Sequence, residues 1–338
     1  MNVIIPVAGI GKRLRPHTYS THKSLLMVGD KPILGHILDK LKAMSIHKVI
    51  FIVGYMGEKI KAYVSGNYDF NAVYVEQKEA LGLGHAIWLT RETAKDESCL
   101  IIYGDTIFEG EIPIDMNVDG IIGVKAVDNP RRFGIVETES NLITKFIEKP
   151  TNPTSNLAIC GVNFIKNSHL LFEHLDQLIN KNKKTAACSV AEIPQWQDEF
   201  QLTDAFQSML EKGACFKSFN IDKWYDCGTP ETIISTNSEL LSSQTSNTPS
   251  QNYKNLTIIE PVFIHNTAKI EHSIIGPNVS IDRDTDIRDS IIFDSIINQG
   301  ASIENSRLEH SIIGANTIIK GAAGKLNIGR CSEIILAK

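Results

Sequence analysis

The sequence has no Cys-x-x-Cys pair. Its six cysteines, Cys99, Cys160, Cys188, Cys215, Cys227 and Cys331, are scattered over 338 residues, which argues against a zinc site, a dithiol redox motif or a disulfide scaffold. Free thiols in a reducing compartment are the expectation. Positive charge is not in excess either. Thirty-four Lys and Arg face 39 Asp and Glu, and the formal charge of -5 removes the general electrostatic case for nucleic acid or an anionic membrane as a partner. A local basic pocket remains compatible with that balance. Long hydrophobic runs are missing too. The opening Met1-Asn2-Val3-Ile4-Ile5-Pro6 carries no basic leader, and its apolar run ends at Gly9, far short of the roughly 20 residues that span a bilayer. A cytoplasmic protein is expected. The remaining composition, 42% hydrophobic and 22% charged, excludes disorder and collagen, and at this length predicts about two domains with sizeable cores.

From residue 1 to about 235, short β-branched runs alternate with amphipathic stretches, the pattern of a parallel sheet covered by helices. Val3 to Val7, Lys48 to Val53, Ala72 to Glu76 and Cys99 to Tyr103 read as strands. Between the first two, Ile33, Ile37, Leu38, Leu41 and Met44 recur at helical spacing behind Pro32, which suits a first helical turn, so a βαβ unit is expected. A further helix is expected over Gly84 to Lys95. Shorter runs at Gly120 to Val127 and Gly134 to Thr138 then predict that the sheet becomes mixed. Thr229-Pro230-Glu231 reads as a helix start, with Thr as N-cap and Pro in the first turn, and that helix should end near Leu241. The reading for 1–241 is therefore an α/β domain with a Rossmann-like mixed sheet. Residues 242–255, which open SSQTSNTPSQN, lack the apolar surface to order a core and are read as a linker.

Beyond the linker the period changes. Ile258, Ile264, Ile270, Ile275, Ile281, Ile287, Ile292, Ile297, Ile303, Leu308, Ile313 and Ile319 recur every five or six positions, which suits neither a helix nor an alternating strand. EHSIIGPNVSI at Glu271 to Ile281 nearly repeats as EHSIIGANTII at Glu309 to Ile319. Small or β-branched residues, such as Ala268, Thr285, Ala301 and Thr317, follow many of the aliphatics by four places. This is the signature of a hexapeptide β-helix: one Ile per face points inward and stacks on the next coil, while a small residue fits the corner. At about 18 residues per turn, 256–338 should form a left-handed parallel β-helix of roughly four coils. Its open edge and apolar faces make self-association the expectation.

The chemistry-bearing segment is Val7-Ala8-Gly9-Ile10-Gly11-Lys12-Arg13-Leu14-Arg15-Pro16-His17-Thr18, a Gly-rich turn after the first strand, where ligands of α/β folds bind. It is not a P-loop, because Gly9 and Gly11 are too close and Arg follows Lys12. It is not the dinucleotide fingerprint either, because Leu14 stands where the third Gly belongs. Two glycines let backbone N–H groups approach a polyphosphate, and Lys12, Arg13, Arg15 and Lys23 add four cations nearby. The plain alternative is a tight turn with a solvated basic flank.

At these residues the chain resembles the sugar-1-phosphate nucleotidylyltransferases, whose opening motif G-x-G-x-R-L-x-P-x-T with a following Lys is matched by Gly9, Gly11, Arg13, Leu14, Pro16, Thr18 and Lys23. Further matches follow in the family's order: Gln77 with Gly82 to Ala86, Gly104-Asp105, Phe133 to Glu137, Glu148-Lys149-Pro150, Leu202 to Ala205, and Trp224 to Pro230. The resemblance spans residues 1 to about 240. It implies attack of a sugar-1-phosphate oxygen on the α-phosphorus of a nucleoside triphosphate, with loss of pyrophosphate. A phosphate nucleophile is already ionised at neutral pH, so alignment and cationic screening must carry the catalysis.

The resemblance assigns Asp105 and Asp226 to Mg²⁺, for which their hard oxygens suit. It assigns Arg13 to the leaving pyrophosphate, Lys23 to phosphate and Lys149 to the sugar phosphate. Ala8, Gly9, Gly11, Gln77, Gly82 and Gly104 are the nucleotide-binding candidates, with the Gln77 amide and the Gly82 backbone facing a pyrimidine edge. Gly134, Glu148, Lys149 and Gly161 are the sugar-phosphate candidates. Gly82 to Ala86 looks more like the uridylyl branch and Trp224 to Pro230 more like the thymidylyl branch, so UTP and dTTP both stay open, with glucose-1-phosphate foremost as acceptor. His22 stands where relatives usually have Pro, and Lys12 where a small hydroxyl residue is common. An acyltransferase in the β-helix, with His265, His272 or His310 as base, and a catalytically silent sugar-nucleotide sensor are the alternatives.

Overall fold

Val3, Ile4, Ile5 and Val7 are fully buried, as are Val49 to Ile52 and Leu100 to Ile102, and runs that are apolar on both faces belong inside a covered parallel sheet. The computed structural model, which describes residues 1–95, 97–187, 199–243 and 255–336, places them there. The linker expected at 242–255 lies for the most part outside the described residues. The chain divides into two compact units, residues 1–9 with 38–224 and residues 10–37 with 225–338.

The first unit is built on a nine-stranded sheet. Its strands are β1 (Asn2–Val7), β2 (Lys48–Val53), β3 (Ala72–Glu76), β4 (Cys99–Ile102), β5 (Gly120–Ala126), β6 (Ile135–Glu139), β7 (Leu142–Ile147), β8 (Leu157–Ile165) and β9 (Phe216–Asn220). Their order is β3-β2-β1-β4-β8-β5-β9-β7-β6. The first four run parallel, with Asn2 opposite Lys48 and Val7 opposite Val53, and β8 then enters antiparallel, so the sheet is mixed as expected. The βαβ unit is present, with α1 (Ile33–Leu41) between β1 and β2, and α2 (Gly57–Asn67) makes the next crossover to β3. Pro32 does not open α1. It sits in a two-residue ladder, Met27–Val28 against Lys31–Pro32, and Met44 falls beyond the helix end.

The helix expected over Gly84 to Lys95 is two short ones, α3 (Leu83–Trp88) and α4 (Arg91–Ala94). Thr90 breaks it, because its hydroxyl donates to the Ile87 carbonyl at 2.7 Å and offers the backbone an alternative to the next helical turn. On the covering layer, α5 (Ser168–Ala187) and α6 (Leu202–Glu211) pack beside α3. Leu202, Ala205, Phe206 and Met209 form the buried stripe of α6, and the rings of Phe146, Phe206 and Phe216 meet at 5.2 to 5.7 Å. Each buried phenyl ring contributes about 1.5–3 kcal/mol.

In the second unit, residues 257–335 wind into three parallel five-stranded sheets, the arrangement of the left-handed β-helix expected from the repeat. One inward column runs Ile270, Ile287, Ile303, Ile319, Ile334, and another Ile264, Ile281, Ile297, Ile313, Ile328. On the third face Thr257, Ile274, Ile291, Arg307 and Ala323 stand one above the next. The turns between them are tighter than the repeat predicts, so the same stretch of chain forms five strands on each face instead of about four. At one corner His272, Asp289 and Asn305 take left-handed φ of 47 to 49°, and the buried hydroxyls of Ser273, Ser290 and Ser306 each accept the amide of the rung above at 3.1 to 3.2 Å. The two EHSIIG segments fall on different faces: Glu271 ends the strand Lys269–Glu271 and Glu309 ends Arg307–Glu309.

The helix α7 (Pro230–Ser243) starts as expected, with the Thr229 hydroxyl accepting the Thr232 amide at 3.3 Å, and runs on past Leu241 to Ser243. Its buried Asn237 is a junction. The side-chain oxygen accepts from the Gly29 amide at 2.8 Å and from the Ser280 hydroxyl at 2.7 Å, while its nitrogen donates to the Asn278 carbonyl at 3.1 Å. One amide thus ties the 27–32 ladder and α7 to the β-helix.

Candidate active site

Because β3, β2, β1 and β4 are parallel neighbours, the residues that follow them emerge on one edge of the sheet, where α/β folds bind ligands. Ala8 and Gly9 follow β1, Gln77 follows β3, and Gly104-Asp105 follow β4. Gly54, after β2, passes so close to Ala8 that a Cβ there would meet the Ala8 carbonyl at 3.0 Å. Gln77 is anchored by its own amide to the Val53 carbonyl at 2.8 Å, and its side chain donates to the Gly82 carbonyl at 3.2 Å. The structure thereby brings the two base-recognition candidates together at the start of α3. Gly82 is packed from behind by Phe200, whose carbonyl accepts the Gly84 amide at 2.7 Å and whose own amide donates to the Leu81 carbonyl at 2.9 Å.

A second group gathers in the same unit. Glu148 accepts from the Thr203 hydroxyl at 2.8 Å and faces the ammonium of Lys149 at 3.2 Å. A Cβ on Gly134 would fall 2.9 Å from the Glu148 carboxylate, so the glycine is what lets the backbone run beside that acid. Gly161 has a φ of +75°, and a side chain there would collide with the Tyr103 ring at 2.4 Å. Tyr103 precedes Gly104-Asp105 in a turn closed by the Thr106 amide on the Tyr103 carbonyl at 3.1 Å. Burial, and then the negative charges of Glu148 and Asp105, raise its phenol well above the usual range. Burial beside Glu148 likewise raises the Asp204 carboxyl. The sugar-phosphate candidates Gly134, Glu148, Lys149 and Gly161 are therefore one cluster, and Asp105 adjoins it through Tyr103.

The remaining candidates lie in the second unit. Gly11, with φ +69°, brings the chain against Lys23, whose Cβ would be 3.0 Å from a side chain on Gly11. The Thr18 hydroxyl closes the same turn on the Gly11 carbonyl at 2.9 Å. His22, the departure from the family's Pro, is buried and caps the Lys23 turn, its Nδ1 accepting the Ser24 amide at 3.1 Å. A Cβ on Gly228 would lie 3.0 Å from the Arg13 guanidinium and 3.1 Å from the Asp226 carboxylate, so glycine there leaves both charged groups their room.

The model of the family described as nucleotidyl transferase matches residues 2–243. The chain belongs to the nucleotidyl transferase family. Over 350 residues it is 30% identical to the bifunctional protein GlmU of Methanococcus maripaludis, a match covering 94% of this chain and 78% of that one. It is 25% identical to glucose-1-phosphate thymidylyltransferase of Streptomyces griseus, covering 95% and 94%. Among solved structures, a Bacillus anthracis protein assigned as a glucose-1-phosphate thymidylyltransferase and crystallised with sucrose superposes with a TM-score of 0.62 at 26% identity, over 73% of this chain and 98% of that one. A UDP-glucose pyrophosphorylase complexed with UDP-glucose shares the fold at a TM-score of 0.59 and 21% identity, over 72% of this chain and 99% of that one. This nucleotidyl transferase thus stands among sugar-1-phosphate enzymes.

Two residues of the Glu148 cluster carry no role in the sequence reading, although both lie in quoted segments: Tyr103, before Gly104-Asp105, and Thr203, in Leu-Thr-Asp-Ala. A threonine at a helix start reads as a capping residue. Its partner Glu148 lies 55 residues earlier in the chain, so only the fold reveals the pair.

Proposed function

We propose that this nucleotidyl transferase moves a nucleotidyl group from a pyrimidine nucleoside triphosphate, UTP or dTTP, to a hexose-1-phosphate, glucose-1-phosphate foremost, giving NDP-sugar and pyrophosphate. The observation that carries the reading is the Glu148 cluster. An acid oriented by Thr203, bare of side chains on its Gly134 flank and beside Lys149, offers an acceptor for sugar hydroxyls and a cation for the phosphate. The Gln77 and Gly82 pair supplies amide groups for a pyrimidine edge.

An oxygen of the sugar phosphate forms the new bond to the α-phosphorus as the bond from that phosphorus to the bridging oxygen breaks, and the electron pair leaves with pyrophosphate. No proton has to be removed from the nucleophile. Lys149 is half exposed, so its pairing with Glu148 is worth little and yields readily to a phosphate. Arg13 and Lys23 would screen the triphosphate and the leaving group.

Asp105 and Asp226 fit Mg²⁺ by donor chemistry. Among the described residues no three His, Cys, Asp or Glu side chains gather into a cage, and one or two carboxylates completed by substrate phosphates is how Mg²⁺ is ordinarily held. When bound, the ion would neutralise phosphate charge. The test is pyrophosphate release with Mg²⁺, offering glucose-1-phosphate, N-acetylglucosamine-1-phosphate and mannose-1-phosphate in turn against UTP, dTTP, ATP, CTP and GTP. One pair far above the rest supports the reading. Silence from folded protein that still binds nucleotide would leave a sensor.

A second reading, acyl transfer by the β-helix, draws on the bifunctional relative and on one observation. His310 lines a cavity of about 280 Å³ together with Glu231, Asp294 and Lys325. Acetyl-CoA consumption by the full chain, lost in His310→Ala, would support it.

A further inference from the structure

The loop that carries Gly11, Arg13 and Lys23 belongs to the compact unit of the β-helix, not to that of the sheet it leaves. Two hydrogen-bonded contacts mark this. The first is the Asn237 junction with Gly29. The second lies at the far end of the β-helix, where Nε2 of the buried His17 donates to Oδ1 of Asn327 at 2.6 Å. Asn327 opens the last strand of its face, Asn327–Ile328. Just beyond that strand, a Cβ at Gly329 would fall 3.1 Å from the Pro16 ring, so the coil backbone passes directly over the loop.

Between these touching points Pro16, Tyr19, Ser20, Ile328, Gly329 and Arg330 line a cavity of about 400 Å³. At this end the last coil therefore meets the loop through the His17–Asn327 bond and the Pro16–Gly329 approach, with the cavity beside them. Within it, the Leu14 amide reaches the Gly11 carbonyl at 3.0 Å and the Arg15 amide the Lys12 carbonyl at 3.3 Å. In so short a turn, the direction of the Arg13 side chain follows the anchoring of the residues just after it.

We propose that the last coil of the β-helix positions the cationic loop for nucleotidyl transfer, with Asn327 and Gly329 as positioning residues acting through His17 and Pro16. The proposal rests on the reading of Arg13 as a phosphate-screening group. It explains why a repeat domain is fused to this transferase without requiring chemistry of its own.

Asn327 is exposed apart from this bond, so its substitution leaves the fold intact. In the full chain, Asn327→Leu should lower kcat about 10- to 100-fold, the scale expected when a reacting geometry shifts by about an ångström. The KM for the sugar phosphate should hold, because its candidates lie in the other unit. Asn327→Asp keeps the acceptor and should restore kcat. Amide exchange at Leu14 and Arg15 should quicken in Asn327→Leu alone, and not in Ile270→Ala, which loosens the first coil.

Unchanged kcat and unchanged loop exchange in Asn327→Leu would overturn the proposal. So would an equal loop effect from Ile270→Ala, which would make it general loosening. If the wild type turns over no substrate pair, the reading of the reaction fails on its own, and loop exchange still decides whether the coil holds the loop.

Discussion

The β-helix and the nine-stranded sheet both bury isoleucine in parallel strands, but they connect those strands differently. In the β-helix, Ile303 pairs with Ile287 below and Ile319 above, each a single coil away in the chain. In the sheet, Ile4 lies between Ile50 and Ile101, brought in by long crossovers. The first arrangement sums nearest-neighbour terms and can open rung by rung, while the second forms only when remote segments meet. The site candidates Ala8, Gln77, Gly104 and Asp105 follow the second arrangement, each standing just after a strand of the sheet. Register at β1, β2 and β4 decides where Ala8, Gly54 and Asp105 emerge, and a slip of one residue would reverse every side chain.

The largest effect should separate the two regions by chemistry. Asp105→Asn keeps the shape of the side chain but removes the charge, and should cut turnover about 1,000-fold, roughly 4 kcal/mol, without lowering the melting temperature. Asp289→Asn, the same change at a left-handed β-helix turn that Asn tolerates, should leave turnover as it was. Pyrophosphate release beside thermal unfolding checks both, and full activity in Asp105→Asn would remove that residue from the site.

Next comes stability. Ile101→Ala and Ile303→Ala each empty a buried position and should cost about 2–5 kcal/mol. The comparison lies in the shape of unfolding: Ile101→Ala should lower the transition of the sheet as a unit, while Ile303→Ala should open the rungs around it first, seen as early amide exchange at residues 287–319. Equal, single shifts in both would show the β-helix to be as cooperative as the sheet. A smaller effect is expected at the sugar cluster, where Glu148→Gln weakens charged hydrogen bonds by about 1.5–3 kcal/mol and should raise the sugar-phosphate KM about tenfold or more with little change in nucleotide KM.

These regions are unequally legible in the sequence. The Ile column announces the β-helix because repetition exposes a period directly, yet the rung count comes out short because turns such as Ile291 to Arg307 are tighter than a regular hexapeptide repeat makes them. Strands of the sheet can be read because Val, Ile and Leu run unbroken through them. Thr90 and Pro32 escape, since a side-chain bond to Ile87 and a two-residue ladder leave no periodic trace. At the site, residues inside short motifs can be named, but Thr203 on Glu148 and Tyr103 on Gly161 are pairings across the fold. The attachment of His17 to Asn327 spans 310 positions, and no local pattern carries it.

That attachment gives the smallest effect and the sharpest comparison of loop with coil. Burial lowers the His17 pKa below its ordinary 6.5, and the bond to Asn327 offsets this only partly. Above that value the ring is neutral in folded and unfolded chains alike, and pH does not touch the contact. As pH falls through 6.5 the unfolded chain takes up a proton that the folded one refuses, so stability drops, by at most about 1.4 kcal/mol per pH unit, until the folded value is passed. His17→Gln keeps a donor for Asn327 but cannot titrate. The unfolding free energy of the wild type relative to that of His17→Gln, followed from about pH 7.5 to 5, should therefore fall on acidification, with loop exchange at Leu14 rising only in the wild type. A constant difference would mean that His17 protonates in place, and that the loop rests on Pro16 and Gly329 more than on the hydrogen bond.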